Sequence, residues 1–399
     1  MSVYLLATLD TKGPEAELVR DRLVTLGIAV VVLDAGCIGE PTFLADVSRE
    51  AIFAASGTSL AEAVAKGDRG VAVTQAAEGA TSIVLSAFAE GKVDGVIALG
   101  GSAGTTIGTS AMRALPIGVP KLMVSTLASG DVRRWVGDKD ILMLNSVVDI
   151  AGINRISRLI LSNAAAAMAG MVKHRAPKLT EDKPLVAATM FGVTTPCVQR
   201  AREVLEQAGY EVLVFHATGN GGKAMESLIR DGLIAGALDM TTTELADDLV
   251  GGVLSAGPSR LTAAAEAGVP QVVSVGATDM VNFWAPDTIS DEFKERKFHQ
   301  HNATVTLMRT TPEENAMLGQ EIGHKVSASS GAAAILLPLK GVSAIDREGE
   351  SFDDPAARKA LFDAIRSSHG SVELVELNEH INDNAFAEAA AEKLIQLMR

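Results

Sequence analysis

The sequence predicts an α/β protein built from two doubly wound parallel-sheet domains related by internal duplication. Three observations carry this reading. Short apolar runs bounded by glycines, as in strands buried on both faces, alternate with longer amphipathic stretches of helical period. Each run ends in a loop rich in glycine, hydroxyl or acidic residues. Four blocks recur in the same order: LLATLD at 5–10 over VAATMF at 186–191, VVVLDA at 30–35 over VLVFHA at 212–217, DGVIALGG at 94–101 over AGALDMTT at 235–242, and GVPKLMVS at 118–125 over GVPQVVSV at 268–275.

Taken in order, Val3–Ala7 reads as a strand, Thr8–Gly13 as the loop at its carboxyl end, and Glu15–Leu26 as a helix closed by Gly27. Ala29–Leu33 is the second strand, which completes a βαβ unit and implies a parallel sheet. Residues 40–92 are mostly helical and have no full counterpart in the second half. A strand at 95–99 enters Gly100–Gly104, Val119–Ser125 follows Pro116, Ile141–Leu144 is a short strand, and an Ala-rich helix runs from about Gly152 to Lys173. His174–Pro184, polar and with two prolines, reads as a linker, giving domains 1–180 and 181–399.

The second half repeats the scheme with strands at Leu185–Thr189, Glu211–Phe215, Ile234–Leu238 and Val269–Val275. Its remaining elements are a strand at Val305–Met308, a helix at Pro312–Ser327, a strand at Ala333–Leu339, a helix at Asp354–Ser367, a strand at Val372–Leu377 and a helix at Asn384–Met398. All of these strands are expected to complete the second sheet.

Composition bounds the function. The 399 residues are 47% hydrophobic but only 4% aromatic, and the net charge of −14 argues against a general nucleic-acid binder. Two cysteines, Cys37 and Cys197, imply neither a disulfide framework nor a paired metal site. The chain enters a strand-like run directly, without a basic leader, and no apolar segment approaches about 20 uninterrupted residues. A cytoplasmic protein without membrane contact is expected.

The candidate chemistry sits at strand ends, where open parallel sheets bind ligands. The run Val96–Leu99 into Gly100-Gly101-Ser102-Ala103-Gly104 reads as strand, phosphate-cradling loop and helix: glycines admit close approach, and the amides of a helix start favour an anion. It is neither a P-loop nor a strict GxGxxG, so a plain chain turn is the competing reading. Asp10, Lys12 and Asp34 are candidates by position, with helix caps as the alternative. In the second half, His216 precedes a Thr-Gly-Asn-Gly-Gly turn, Asp239 and Glu244 flank three threonines, Asp279 follows the next strand, and His301 precedes Val305–Met308. Converging, these five could do acid–base work, or His216, His301 and an aspartate could hold a divalent metal; spacing does not separate the two. Thr241–Glu244 also reads as a capping box. Cys197, at a helix start, is either a nucleophile or a small buried residue.

Several long runs together resemble one family, the Tm-one-like ATP-binding domain family. Its members include the N-terminal half of a plant tobamovirus-resistance protein and many bacterial proteins. The runs are ATLDTKGPE at 7–15, GGSAGTT at 100–106, MVSTLASGDV at 123–132, VVDIAGINRIS at 147–157, MFGVTTPCV at 190–198, FHATGNGGKAME at 215–226, DMTTTELAD at 239–247, SVGATDMVNF at 274–283, HNATVTLMRTT at 301–311 and GVSAID at 341–346. The resemblance covers nearly the whole chain. It implies two Rossmann-like domains with ATP bound in the first, and carries ATP contacts onto Gly100, Gly101, Ser102, Gly104, Thr105 and Thr106, onto Asp10, Thr11 and Lys12, and onto Thr126, Ser129 and Gly130. Trp135 departs from the pattern expected of relatives.

Three functions remain open at this point. One is an enzyme that binds ATP, with Mg2+ bridging phosphates and carboxylates, and acts on an anionic metabolite in an interdomain cleft near His216, Asp239 and His301. Another is a nucleotide-responsive binding or regulatory protein without catalysis. A third is a lyase or isomerase that uses the phosphate loop for its substrate. The Ala-rich helix at 152–172 is expected at a domain or dimer interface, and the protein is expected to be a homodimer.

Overall fold

The structure, a computed structural model, describes residues 1–175, 183–302 and 304–399. Most of the expected linker at 174–184 lies outside the described residues. The chain divides into two compact units, Met1–Lys178 and Leu179–Arg399.

In the first unit the elements are β1 (Ser2–Ala7), α1 (Leu9–Thr25), β2 (Ala29–Asp34), α2 (Arg49–Ala55), α3 (Leu60–Ala65), α4 (Arg69–Ala89), β3 (Gly95–Gly100), α5 (Ser102–Ala114), β4 (Lys121–Ser125), α6 (Arg133–Val136), β5 (Leu142–Asn145) and α7 (Arg155–Lys173). The five strands are parallel, in the order β2-β1-β3-β4-β5. Strand residues alternate between two core layers. Tyr4, Leu6, Val96 and Ala98 pack toward α4 and α5. Val3, Leu5, Ile97 and Leu99 pack toward α1 and α7. Both faces are therefore covered, which is why the strands read as continuous apolar runs.

The second unit holds β6 (Leu185–Met190), α8 (Thr195–Gln207), β7 (Glu211–His216), α9 (Asn220–Arg230), β8 (Gly236–Thr241), α10 (Thr243–Val250), α11 (Ala263–Ala267), β9 (Gln271–Gly276), β10 (Met280–Phe283), β11 (Phe298–Gln300), β12 (Thr306–Arg309), α12 (Pro312–Ser327), β13 (Ala333–Pro338), α13 (Pro355–Ser368), β14 (Glu373–Leu377) and α14 (Asn384–Leu397). Six strands form a parallel sheet ordered β7-β6-β8-β9-β13-β14. Its first four strands repeat the order of β2-β1-β3-β4, as the four recurring blocks predict.

Three expectations are corrected. The strand at Val305–Met308 does not extend the second sheet: β12 pairs antiparallel with β10 and β11 in a separate three-stranded sheet. The Ala-rich face of α7 packs into its own unit. Ala164, Ala165, Met168 and Val172 are buried in the core of their own unit, and of the helix's large apolar side chains Ile156 and Leu159 are exposed. The segment after β1 is no loop. A helical turn starts at Leu9, breaks at Lys12 (φ −128°, ψ 20°) and resumes through Pro14. Pro14 forces the break, since its ring forbids the regular helix one turn back. In addition, α4 is long and apolar enough to cross a membrane by length and composition; its Ala72, Ala76, Ala80 and Val84 side is buried in the core.

Candidate functional site

The strand order places a crevice at the carboxyl ends of β1 and β3, because the helices that follow them lie on opposite faces of the sheet. A cleft of about 190 Å³ occupies this position. Its floor is the strand-to-helix turn Gly100–Gly104. Gly101 caps α5 without any side-chain hydrogen bond to the helix start, so the first-turn amides keep no intrahelical partner. Gly100 and Gly104 serve close approach: a Cβ on Gly104 would lie 2.9 Å from the Leu99 carbonyl oxygen, and one on Gly100 would lie 2.9 Å from the Gly104 Cα. Gly101 is different, with open space toward the cleft and only the Thr126 hydroxyl 3.7 Å from a Cβ placed there.

The cleft's other wall is the turn at the start of α1. Thr8, Asp10, Thr11 and Lys12 line it, as do Arg69 at the start of α4 and Asp149 after β5. Lys12 donates its ammonium to the Ile150 carbonyl, an anchor between α1 and the loop that carries Asp149. Asp10 Oδ2 accepts the Ile38 and Gly39 amides at 2.8 and 3.2 Å, while its Oδ1 is buried without a partner. Asp34 lies below, 2% exposed, and accepts the Leu9 and Gly36 amides at 2.9 Å. Burial pushes its carboxyl above the usual range. Asp34 is thus the structural acceptor that pins the α1 start. Arg69 and Asp149 are exposed and form no ion pair among the described residues.

Of the twelve predicted nucleotide contacts, Asp10, Thr11, Lys12, Gly100, Gly101, Ser102 and Gly104 line this cleft. Five others lie outside its lining. The buried Thr105 hydroxyl bonds the Gly101 carbonyl and the Ser125 hydroxyl, both at 2.7 Å. Thr106 faces Trp135, whose indole N–H reaches its hydroxyl at 3.4 Å. Thr126, Ser129 and Gly130 follow β4, the next strand along. Sequence reasoning missed Arg69 and Asp149. Arg69 comes from the insertion and Asp149 from beyond β5, so no local spacing ties either to the glycine loop.

The second unit uses the equivalent strand ends differently. Asp239 and Glu244 meet the fully buried Arg260. Its guanidinium donates to Asp239 Oδ2 and Oδ1 at 2.5 and 2.7 Å, to Glu244 Oε2 at 2.6 Å and to Glu226 Oε1 at 3.3 Å. Burial raises the Glu244 carboxyl. Burial also works against the arginine's charge, but the three carboxylates hold it firmly protonated. Leu261, at φ 69°, donates its amide to Glu226, so local backbone strain accompanies the insertion of Arg260. The threonines are consumed as well. Thr241 bonds Thr194 and the Thr189 carbonyl, and Thr242 bonds the Ser274 carbonyl. The expected capping box is absent: α10 starts at Thr243 with no side-chain cap, and Glu244 faces Arg260 and the Gly219 and Gly222 amides.

The five proposed catalytic residues do not converge. Asp239 and Glu244 share Arg260 at 1 and 0% exposure. Asp279, also 0% exposed, belongs to a third cluster, where it accepts the Ser343 hydroxyl at 2.8 Å and its other oxygen is unpartnered. Burial, with Asp346 adding to it, pushes Asp279 up to about 7. His216 is exposed and packs edge-on against Phe191, and His301 is exposed beyond β11. Among the described residues neither histidine bonds any of the three carboxylates, and no group of three or more metal-ligating side chains occurs. Around the His216 turn, glycines serve packing: a Cβ on Gly222 would overlap Glu244. Cys197 is sealed in the core, the small buried residue of the two readings, and burial pushes its thiol up to about 12. His380 is buried, with its Nε2 2.8 Å from the Ser343 carbonyl oxygen.

Comparison with known proteins accords with the two-part chain. Residues 1–177 match the N-terminal domain, and residues 183–398 the C-terminal domain, of an uncharacterised protein family, UPF0261. A UPF0261 protein of Clostridium tetani is 52% identical over 99% of this chain and 98% of its own length. One from Rhizobium meliloti is 47% identical over 97% of each. The tomato ToMV resistance protein Tm-1(GCR237) is 46% identical over 82% of this chain and 45% of that protein.

Proposed function

The chain belongs to the UPF0261 family, and we propose that its N-terminal unit binds ATP, with its phosphates on the Gly100–Gly104 turn, and that the protein acts as a nucleotide-responsive binding protein. The observation that carries this reading is the cleft itself: seven residues singled out for an anionic ligand surround one opening at the strand-order switch point. The uncapped α5 start offers amides to phosphate, and Lys12 and Arg69 supply positive charge in a chain that is otherwise strongly acidic. Asp10 and Asp149 are the cleft's carboxylates. Two are too few to hold a divalent ion alone, which fits Mg2+ arriving with the phosphates, its charge shared between phosphate and carboxylate oxygens. Binding is preferred to catalysis because Asp239, Glu244 and Asp279, three of the five candidate catalytic residues, are closed off from solvent.

Melting the purified protein with ATP, ADP and Mg2+, beside Gly101→Asp, tests this. A ligand that binds only the native state stabilises it by about 2.7 kcal/mol at a hundredfold excess over Kd. A rise in Tm that the variant loses supports the reading; no rise in the wild type overturns it. We further propose a homodimer through the outward side of α7, where Ile156 and Leu159 are 44 and 60% exposed. Light scattering that finds only a 41.5 kDa species overturns that.

A further inference from the structure

The cleft at the glycine turn has a neighbour. A second cavity of about 240 Å³ is lined by Cys37, Ile38, Ala63, Val64, Gly67, Asp68, Arg69 and Ala72. Cys37, Ile38, Arg69 and Ala72 border both spaces, so the two are lobes of one cleft. Neither lobe alone reaches the roughly 300–1,000 Å³ typical of an organic-ligand site, but the two together do. They also differ in chemistry. The first lobe carries amides, hydroxyls and charges. In the second, apolar side chains prevail, and the Asp68 carboxylate is held by capping α4, where it accepts the Gly70 and Val71 amides at 2.8 and 3.2 Å. Ile38 and Val64 line this lobe at 70 and 52% exposure, apolar surface that a ligand would cover.

We infer that this second lobe seats the flat heterocyclic base of the nucleotide whose phosphates occupy the first lobe, an inference that rests on the reading given above. A ring lying between Ile38 and Val64 is covered by aliphatic carbon, and the Arg69 guanidinium stands at the junction, where it meets either the ring face or the adjoining phosphate. Side-chain hydrogen-bonding groups are scarce there. The lobe therefore recognises the base by shape and apolar contact more than by its edge, and different purines are accepted with similar affinity. Apart from Cys37 and Ile38, the lobe is built by α3, the start of α4 and the turn between them, within the 40–92 segment that the second half largely lacks. That segment then supplies much of the base-binding wall of this chain's N-terminal unit.

Calorimetric titration of the full chain with ATP, GTP and inorganic tripolyphosphate tests this. The expected result is ATP and GTP within a few-fold of each other and tripolyphosphate at least about tenfold weaker. Val64→Asn and Val64→Ser, at an exposed position that lines the second lobe and not the first, should weaken ATP by about tenfold and leave tripolyphosphate unchanged. Unliganded melting temperatures equal to wild type show that each variant folds. Tripolyphosphate binding as tightly as ATP, or ATP affinity untouched in both variants, overturns the base site while leaving the phosphate site standing. If neither ATP nor tripolyphosphate binds, the phosphate site fails, and the base site with it.

Discussion

The carboxyl ends of β1 and β3 and those of β6 and β8 are the same place in two copies of one topology, and they have opposite characters. In the first copy the chain leaves β3 through Gly100 and Gly101, and the crevice is open. In the second, the recurring blocks set Thr241 and Thr242 against those glycines; their hydroxyls are satisfied internally, and Arg260 with three carboxylates occupies the interior. Register differs too. The β3–β4 pairing is regular to its end, whereas β8–β9 slips between Asp239 and Thr241. Topology supplies a crevice; the residues at its mouth decide whether it admits a ligand or becomes core.

The largest expected effect is in the closed copy. Arg260→Met leaves three carboxylates buried without their cation and should cost about 3–5 kcal/mol, read by urea or thermal unfolding of the C-terminal unit. A loss under about 1 kcal/mol would mean that the cluster is wet and the contrast with the open copy false. In the open copy, Gly104→Ala drives a methyl toward the Leu99 carbonyl and should cost roughly 1–3 kcal/mol, whereas Gly101→Ala meets open space and should cost well under 1. Equal losses would break the division between packing glycine and cleft glycine.

The pH dependence comes next. Burial pushes the Asp247 carboxyl up to about 7, a rise that the amide and side-chain hydrogen bonds from Asn282 only moderate. Asp279 is raised to a similar value. Both folded-state values lie above the unfolded ones, so between about pH 4 and 7 the native state holds protons that the unfolded state has released. The stability they contribute is present in acid and is lost as pH rises through 7. The C-terminal unit should melt at a lower temperature at pH 8 than at pH 5.5. A Tm that climbs over that interval would show these carboxyls ionised in the fold. The smallest effect is expected from His216→Ala: with an exposed ring packed edge-on against Phe191, it should change stability by about 0.5 kcal/mol or less and leave any nucleotide response intact.

The contrast also explains what could be read in the sequence. Strand identity and order were legible because parallel strands buried on both faces leave compact apolar runs, and the glycine turn was legible because only glycine permits Gly100 and Gly104 to pack so closely. The direction of a side chain at a strand end was not. His216 and Asp239 both terminate apolar runs, yet one faces solvent and the other Arg260. Nothing local marks Arg260 within GPSRL; the surplus of acids at strand ends, which somewhere required a buried cation, was the available signal. The antiparallel pairing of β12 was hidden because an apolar run of four residues does not disclose its partner.

Residues 35–94 separate β2 from β3, about three times the span of residues 217–235 between β7 and β8. Closing a longer loop costs only logarithmically more, about 1 kcal/mol for a threefold extension, and here much of the added chain is helical and packs on its own sheet. One wall of the cleft is therefore added at small thermodynamic expense and without altering the pairing of the parallel strands. On the nucleotide reading proposed above, grafting a different 40–92 segment between the same two strands is a route to altered ligand preference on an unaltered scaffold.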